Sequence, residues 1–219
     1  MKNKYVTPSI LNVIPENRLQ MVTTLINEGI KWVHYDVMDG VFVPNTAIQF
    51  HEIENIHKNA PKHFKDIHLM VAEPFEIVES YKDIADIITF HYEAVNKSKL
   101  SKFLKDNQHN LSLGMAIKPN TPVSEIEKYL PYLRLVLVMS VEPGAGGQKF
   151  IETTYEKIKE LKAIRLREGL EFLIQVDGGI NDVTGPLCFK AGADACVAGT
   201  FLVKNPTAET IESIKKGKK

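Results

Sequence analysis

The chain alternates between two hydrophobic periodicities. Short apolar runs with a two-residue, strand-like repeat fall at 5–11, 32–38, 64–70, 86–92, 111–118, 133–141, 172–177 and 195–200. Between them, apolar positions recur at helical spacing near 15–29, 50–59, 74–82, 97–107, 122–130, 152–168, 182–191 and 206–216. Strand followed by helix, eight times over, predicts parallel strands joined by crossover helices, because parallel neighbours need a long connection. Eight units in 219 residues fit one α/β domain spanning 1–219, a parallel eight-stranded (β/α)8 TIM barrel near the lower end of that architecture's size range. Punctuation agrees. Glu73-Pro74 and Asn120-Thr121-Pro122 set proline near a first helical turn, and Gly29, Gly169 and Gly192 stand where helices should end. Gly185-Pro186 intrudes on the seventh helix, where proline is tolerated only near the first turn.

Two strands carry more than packing residues. In Val33-His34-Tyr35-Asp36-Val37, alternation sends His34 and Asp36 to one face and the apolar side chains to the other. Asp66-Ile67-His68-Leu69-Met70 repeats the pattern, and Ile174-Gln175-Val176-Asp177 ends on another carboxylate. In a barrel the C-terminal strand ends form the reactive mouth, so Ser9, His34, Asp36, His68 and Asp177 are expected to converge there. Four ionisable groups buried together are costly unless a cation or charge partner compensates. Imidazole with carboxylate suits one divalent Zn2+, Fe2+, Mn2+ or Co2+ ion, and no cysteine stands at these positions to build a structural thiolate site. Glycines form a second constellation: Gly144, Gly146 and Gly147 around Ala145 after strand 6, Gly178-Gly179 after strand 7, and Gly199-Thr200 closing strand 8. Backbone N–H groups exposed by glycine in the last βα loops of a barrel favour a phosphorylated ligand, and the loop at 143–148 could close as a lid.

Composition narrows the classes. Lys plus Arg and Asp plus Glu both number 27, which gives no support for nucleic acid or an anionic membrane as partner. Apolar runs fall short of the ~20 residues of a membrane span. Met1-Lys2-Asn3-Lys4 passes into a strand pattern without a signal-peptide core. Two cysteines, Cys188 and Cys196, exclude a disulfide scaffold and fit buried thiols in a reducing cytoplasm. The end Lys215-Lys216-Gly217-Lys218-Lys219 reads as a solvated, frayed terminus. A homo-oligomer is expected.

Over nearly its whole length the sequence resembles the ribulose-phosphate 3-epimerase family. The resemblance rests on Pro8-Ser9-Ile10-Leu11, on His34-Tyr35-Asp36-Val37-Met38-Asp39-Gly40 with Phe42-Val43-Pro44-Asn45, and on Asp66-Ile67-His68-Leu69-Met70. It continues through Met139-Ser140-Val141-Glu142-Pro143-Gly144 with Gly146-Gly147-Gln148, Val176-Asp177-Gly178-Gly179-Ile180-Asn181 and Ala191-Gly192-Ala193-Asp194. It implies a divalent metal on His34, Asp36, His68 and Asp177, no organic cofactor, and Asp36 with Asp177 as the acid–base pair. It implies Ser9 and His68 as substrate contacts, Met38, Met70 and Met139 as active-site lining, and the three glycine segments as the phosphate site. The implied reaction interconverts D-ribulose 5-phosphate and D-xylulose 5-phosphate in the pentose phosphate pathway. Ala145 departs from the common Phe, Thr200 from the usual Ser, and Asn12-Val13-Ile14-Pro15 from the usual Ser-Ala-Asp run. These departures bear on substrate range rather than on reaction type.

Other readings stand beside it. D-allulose 6-phosphate 3-epimerase uses the same chemistry on a six-carbon ketose. A barrel synthase or lyase would need a strand-end lysine, for which Lys118 is the candidate. A sugar-phosphate sensor would bind the ligand without exchanging its C3 proton.

Overall fold

The computed structural model describes residues 4–217. Eight parallel strands form the barrel: β1 (Tyr5–Pro8), β2 (Trp32–Asp39), β4 (Phe64–Met70), β5 (Ile87–His91), β6 (Leu113–Ile117), β7 (Leu135–Met139), β8 (Leu173–Asp177) and β9 (Ala195–Ala198). They pair in the order β1-β9-β8-β7-β6-β5-β4-β2, and a parallel bridge between Ser9 and His34 joins β1 to β2 around the closure. A ninth strand, β3 (Thr46–Ala47), pairs antiparallel with the end of β2 and lies outside the expected eight.

The helices are α1 (Arg18–Asn27), α2 (Phe50–Asn59), α3 (Pro74–Ile77), α4 (Lys97–Asn107), α5 (Thr154–Glu168), α6 (Thr184–Ala191), α7 (Thr200–Lys204) and α8 (Ala208–Lys216). Local chemistry sets their ends. Asn96 caps α4 by accepting from the Ser98 N–H at 3.0 Å, and Gly169 ends α5 in the left-handed conformation at φ 64°. Pro186 sits in the first turn of α6, where its missing N–H costs nothing.

Alternation along the strands makes two cores. Val33, Tyr35, Val37, Ile67, Leu69, Ile88 and Phe90 face outward and pack under the helices. Trp32, Ile87, Ala116, Leu135, Leu137, Ala195 and Val197 fill the barrel interior. The interior also carries buried polar side chains, Thr7, His34, Asp36, Asp66, His68, Thr89, His91 and Gln175.

Several expectations need correction. The helix expected at 122–130 is two short 3-10 segments, Val123–Glu125 and Glu127–Tyr132, the second holding Pro131, which removes an N–H that α-helix would need. The helix expected at 74–82 is a four-residue α3 followed by a 3-10 turn, Val78–Tyr81. The first strand stops at Pro8, and the last stops at Ala198, so Gly199 and Thr200 begin α7 rather than end a strand. Lys215 and Lys216 belong to the last turn of α8, both paired with Glu212, at 2.9 and 2.7 Å; Lys218 and Lys219 lie outside the described residues, as do Met1–Asn3.

One buried ion pair ties α5 to the bottom of the barrel. Arg165 Nη1 donates to Asp194 Oδ2 at 2.5 Å and to the Phe172 carbonyl at 2.8 Å, while Asp194 Oδ2 also accepts the Ile174 N–H at 2.9 Å. Asp194→Ala strands a buried guanidinium and should cost about 3–5 kcal/mol. Urea unfolding would read this as a lower midpoint with an unchanged slope.

Candidate active site

The parallel register of β2 and β4 places His34 beside Asp66, Asp36 beside His68 and Met38 beside Met70. All six point inward, and β8 brings Asp177 to the same level across β1 and β9. The result is a cluster of His34, Asp36, His68 and Asp177, whose facing ligand atoms all lie within 4.8 Å of one another. His34 Nε2 is 3.3 Å from Asp36 Oδ1, 3.3 Å from His68 Nδ1 and 3.9 Å from Asp177 Oδ2. His68 Nδ1 is 3.1 Å from Asp36 Oδ1 and 3.8 Å from Asp177 Oδ2.

The outer sides of these groups are already committed. His34 Nδ1–H donates to Asp66 Oδ2 at 2.7 Å, and that oxygen also accepts from Gln175 Nε2 at 2.7 Å and Trp32 Nε1 at 3.2 Å. Ser9 Oγ donates to Asp36 Oδ2 at 2.5 Å. His68 Nε2 faces His91 Nε2 at 2.9 Å. With its Nδ1–H directed at Asp66, the neutral His34 ring, the form a cation would bind, turns a lone pair on Nε2 toward the centre. Two imidazole nitrogens and two carboxylates thus aim acceptor atoms at one point, an arrangement that is repulsive unless a cation lies between them. The donor set fits a divalent metal for that reason.

The electrostatics say the same. Burial would lower the pKa of His34, but the carboxylates of Asp66 and Asp36 outweigh it and hold it well above its ordinary value. Burial opposes ionisation of Asp36, yet His34 and His68 hold it below the carboxylate range. Asp177 goes the other way, pushed up to about 6 by burial and by the charge on Asp36. His91 is pulled down to about 4, chiefly by burial.

Above the cluster lies a cavity of about 890 Å³. Its wall includes Ser9, Asp36, Met38, Met70, Met139 and Asp177, and its far side is Gly144, Ala145, Gly146, Gly147, Gly178, Gly179, Gly199 and Thr200. Every expected site residue except the two histidines reaches this wall. His34 and His68 are fully buried beneath it, so His68 sits under the cavity floor and not at its surface. Gly178 and Gly179 adopt φ 119° and 63°, and a Cβ on Gly179 would stand 2.7 Å from the Phe150 nitrogen, so backbone there lies where a side chain cannot. The loop at 143–148 is pinned: Asn45 Nδ2 donates to the Gly144 carbonyl at 2.8 Å, and Gln148 Nε2 donates to the Glu142 and Ala145 carbonyls at 2.7 and 2.8 Å. Lys118 is turned away, its ammonium 4.5 Å from the Phe42 ring centre, and does not line the cavity.

Sequence reasoning passed over Asp66, His91 and Glu93 behind the cluster and Asn12, Lys149 and Lys204 on the cavity wall. Asp66 carried a usable signal, since it shares the inward parity of His68; His91 ends its strand as an inward residue as well.

The profile of the ribulose-phosphate 3 epimerase family matches residues 5–203, and the chain belongs to that family. The ribulose-phosphate 3-epimerase of Eremothecium gossypii is 41% identical over 213 residues, 91% of this chain and 86% of that protein. That of Synechocystis sp. is 36% identical over 221 residues, 100% of this chain and 96% of that protein, and that of Bacillus subtilis 38% over 198 residues, 89% and 90%. Among solved structures, a chain of Mycobacterium tuberculosis tryptophan synthase superposes with a TM-score of 0.66 over 97% of this chain and 91% of that one; at 12% identity the likeness is one of fold. No helix among the described residues is long and apolar enough to cross a membrane.

A cation that relieves the facing lone pairs stabilises the folded chain. Zn2+ or Co2+ at about 100 times its dissociation constant should add about 2.7 kcal/mol to unfolding, read by thermal denaturation with and without a chelator. His68→Ala should lose most of that increment; an equal increment in the variant would show the ion binding elsewhere.

Proposed function

We propose that the chain is a metal-dependent ribulose-phosphate 3-epimerase, interconverting D-ribulose 5-phosphate and D-xylulose 5-phosphate in the pentose phosphate pathway without an organic cofactor. The observation that carries this reading is the cluster of His34, Asp36, His68 and Asp177, with ligand atoms within 4.8 Å of one another beneath one cavity, in a chain of this family. The substrate is a ketose phosphate, and residues 1–219 act as one catalytic domain. Cytoplasmic location and homo-oligomeric assembly belong to the same reading.

Inverting C3 requires a proton to leave one face of the sugar and another to arrive on the opposite face. Asp36, kept ionised by the Ser9 hydroxyl and the two histidines, is the base on its side. Asp177, on the same cavity wall, is the acid on the other. In the reverse direction the roles exchange, so the two titrate as one coupled system. A divalent ion held by His34, Asp36, His68 and Asp177, one of Zn2+, Fe2+, Mn2+ or Co2+, supplies Lewis-acid stabilisation of the charge that develops at the ketose oxygens. Met38, Met70 and Met139 give the reacting carbon an apolar, water-poor surround. Gly144, Ala145, Gly146, Gly147, Gly178, Gly179, Gly199 and Thr200 receive the phosphate, with Lys149 and Lys204 on the same wall to balance its charge. Anchoring the phosphate fixes the register of C3 between the two carboxylates.

In D2O, ribulose 5-phosphate should become xylulose 5-phosphate with deuterium at C3, followed by 1H NMR. Allulose 6-phosphate, run in parallel, should react far more slowly. Asp36→Asn and Asp177→Asn should each lower epimerisation by roughly 10²–10⁴. Metal content must be measured beside the rate, since each substitution also alters a ligand. Variants that keep the metal and epimerise within tenfold of the parent would remove both aspartates from the mechanism.

The phosphate assignment has its own test. The nearest atom to a Cβ on Gly199 is Ser9 Cβ at 3.9 Å, so a side chain there enters the cavity rather than the barrel wall. Gly199→Leu should raise KM for ribulose 5-phosphate at least tenfold, while unphosphorylated ribulose should be a very poor substrate for the parent. Equal kcat/KM for the two sugars would overturn the phosphate site.

A further inference from the structure

A buried chain of hydrogen bonds runs behind His68, away from the cavity. His68 Nε2 lies 2.9 Å from His91 Nε2, and His91 Nδ1 lies 3.3 Å from Glu93 Oε2. Glu93 Oε1 accepts the Lys118 backbone N–H at 2.8 Å and the Thr121 hydroxyl. Both rings are wholly buried. The direction of this chain is decided at its far end. An ionised carboxylate only accepts, so Glu93 takes the Nδ1–H of His91. The neutral His91 ring then presents Nε2 as an acceptor, and His68 must carry its proton on Nε2. Its Nδ1 is left as a bare lone pair. That atom stands 3.1 Å from Asp36 Oδ1 and 3.3 Å from His34 Nε2. The opposite tautomer would donate Nδ1–H to Asp36 and close the cluster with an internal hydrogen bond, leaving no ligand on His68.

We propose that His91 and Glu93 are positioning residues, which select the His68 tautomer whose Nδ1 lone pair faces the cation site. The inference rests on the reading that His34, Asp36, His68 and Asp177 hold a divalent ion. His34 is oriented separately, through Asp66, so the two imidazole ligands have independent supports. Groups that orient a ligand from behind typically contribute 10–100-fold to metal affinity, and that is the size expected here.

The experiment uses the full chain in two states. In metal-free, 15N-histidine-labelled protein, long-range 1H–15N correlation reports which nitrogen of each ring carries the proton. Titration with Co2+, followed by its visible absorption, reports affinity. His91→Leu should shift the His68 proton to Nδ1, leave His34 on its own tautomer, and weaken Co2+ about 10–100-fold. His91→Gln, whose amide oxygen can accept from His68 Nε2–H, should restore both readouts toward the parent. Glu93 is less buried, and Glu93→Ala carries the test should His91→Leu not fold: it should mix the His91 and His68 tautomers and weaken Co2+ several-fold. A His68 proton that stays on Nε2, with Co2+ affinity within twofold of the parent in His91→Leu or Glu93→Ala, would overturn the inference while leaving the metal reading intact. A parent that binds no Co2+ would overturn both. A purely packing role, through the Phe42 ring 4.8 Å from His91, would lower thermal stability without moving the tautomer.

Discussion

The parallel register between β2 and β4 is the constraint on which the site depends. Because side chains alternate, a one-residue slip of β2 against β4 would turn His34, Asp36 and Met38 outward and bring Val33, Tyr35 and Val37 inward, parting them from Asp66, His68 and Met70. Such a slip is penalised twice. It would set charged groups against the apolar undersides of the helices, and it would expose to the barrel interior the side chains that now make the outer core. The same two-residue period that folds the barrel therefore aims the functional groups, and Ser9, bridged to His34 at the closure, is held to the same level.

The cost of the arrangement is electrostatic. Asp36 and Asp66 are buried against two imidazoles, and Asp177, partly exposed, closes the ring from the cavity side. Ser9 donates to Asp36 Oδ2, and Trp32 and Gln175 donate to Asp66 Oδ2, while Asp66 Oδ1 is buried without a partner. The inner atoms have only each other, so without a cation the carboxylates of Asp66 and Asp36 raise the pKa of His34, and burial raises that of Asp177. A site that favours positive charge at its centre and separates the proton affinities of two carboxylates already holds the main requirements for moving a proton next to a carbonyl.

Much of this could be read from the sequence, and the exceptions share a cause. His34 with Asp36, and His68, are visible because a polar residue at alternate positions of an apolar strand is locally anomalous. Asp177 is visible because it ends a strand next to two glycines. Asp66 shows the same alternation but stands a turn deeper, where its role is set by neighbours on β2 and β8 that are remote in sequence. His91 looked like any strand-end histidine until β4 placed His68 against it. The helix expected at 122–130 forms two 3-10 segments instead, Val123–Glu125 and Glu127–Tyr132, because apolar spacing over so short a stretch does not separate the two helix types. β3 is two residues long, too short for any periodicity to show.

The cavity lining also bears on how a ketose phosphate would lie in it. Its lining joins Asp36, Asp177 and Glu152 with glycine backbone, Lys149 and Lys204. With a divalent ion held among His34, Asp36, His68 and Asp177 the two carboxylates are neutralised, so charge alone does not keep a phosphate from that part of the lining. In the proposed reading the orientation of the substrate follows from shape and backbone donors: the glycine segments leave room for the phosphate and can turn N–H groups toward it. Ala145 and Gly147 stand exposed on this wall, while Gly144 and Gln148 are tied down by Asn45 and by carbonyls of the same loop. Only the tip of the loop is therefore free to follow the ligand. In the proposed reading, a small residue at that tip leaves phosphate affinity to glycine backbone and to Lys149 and Lys204, which line the same cavity.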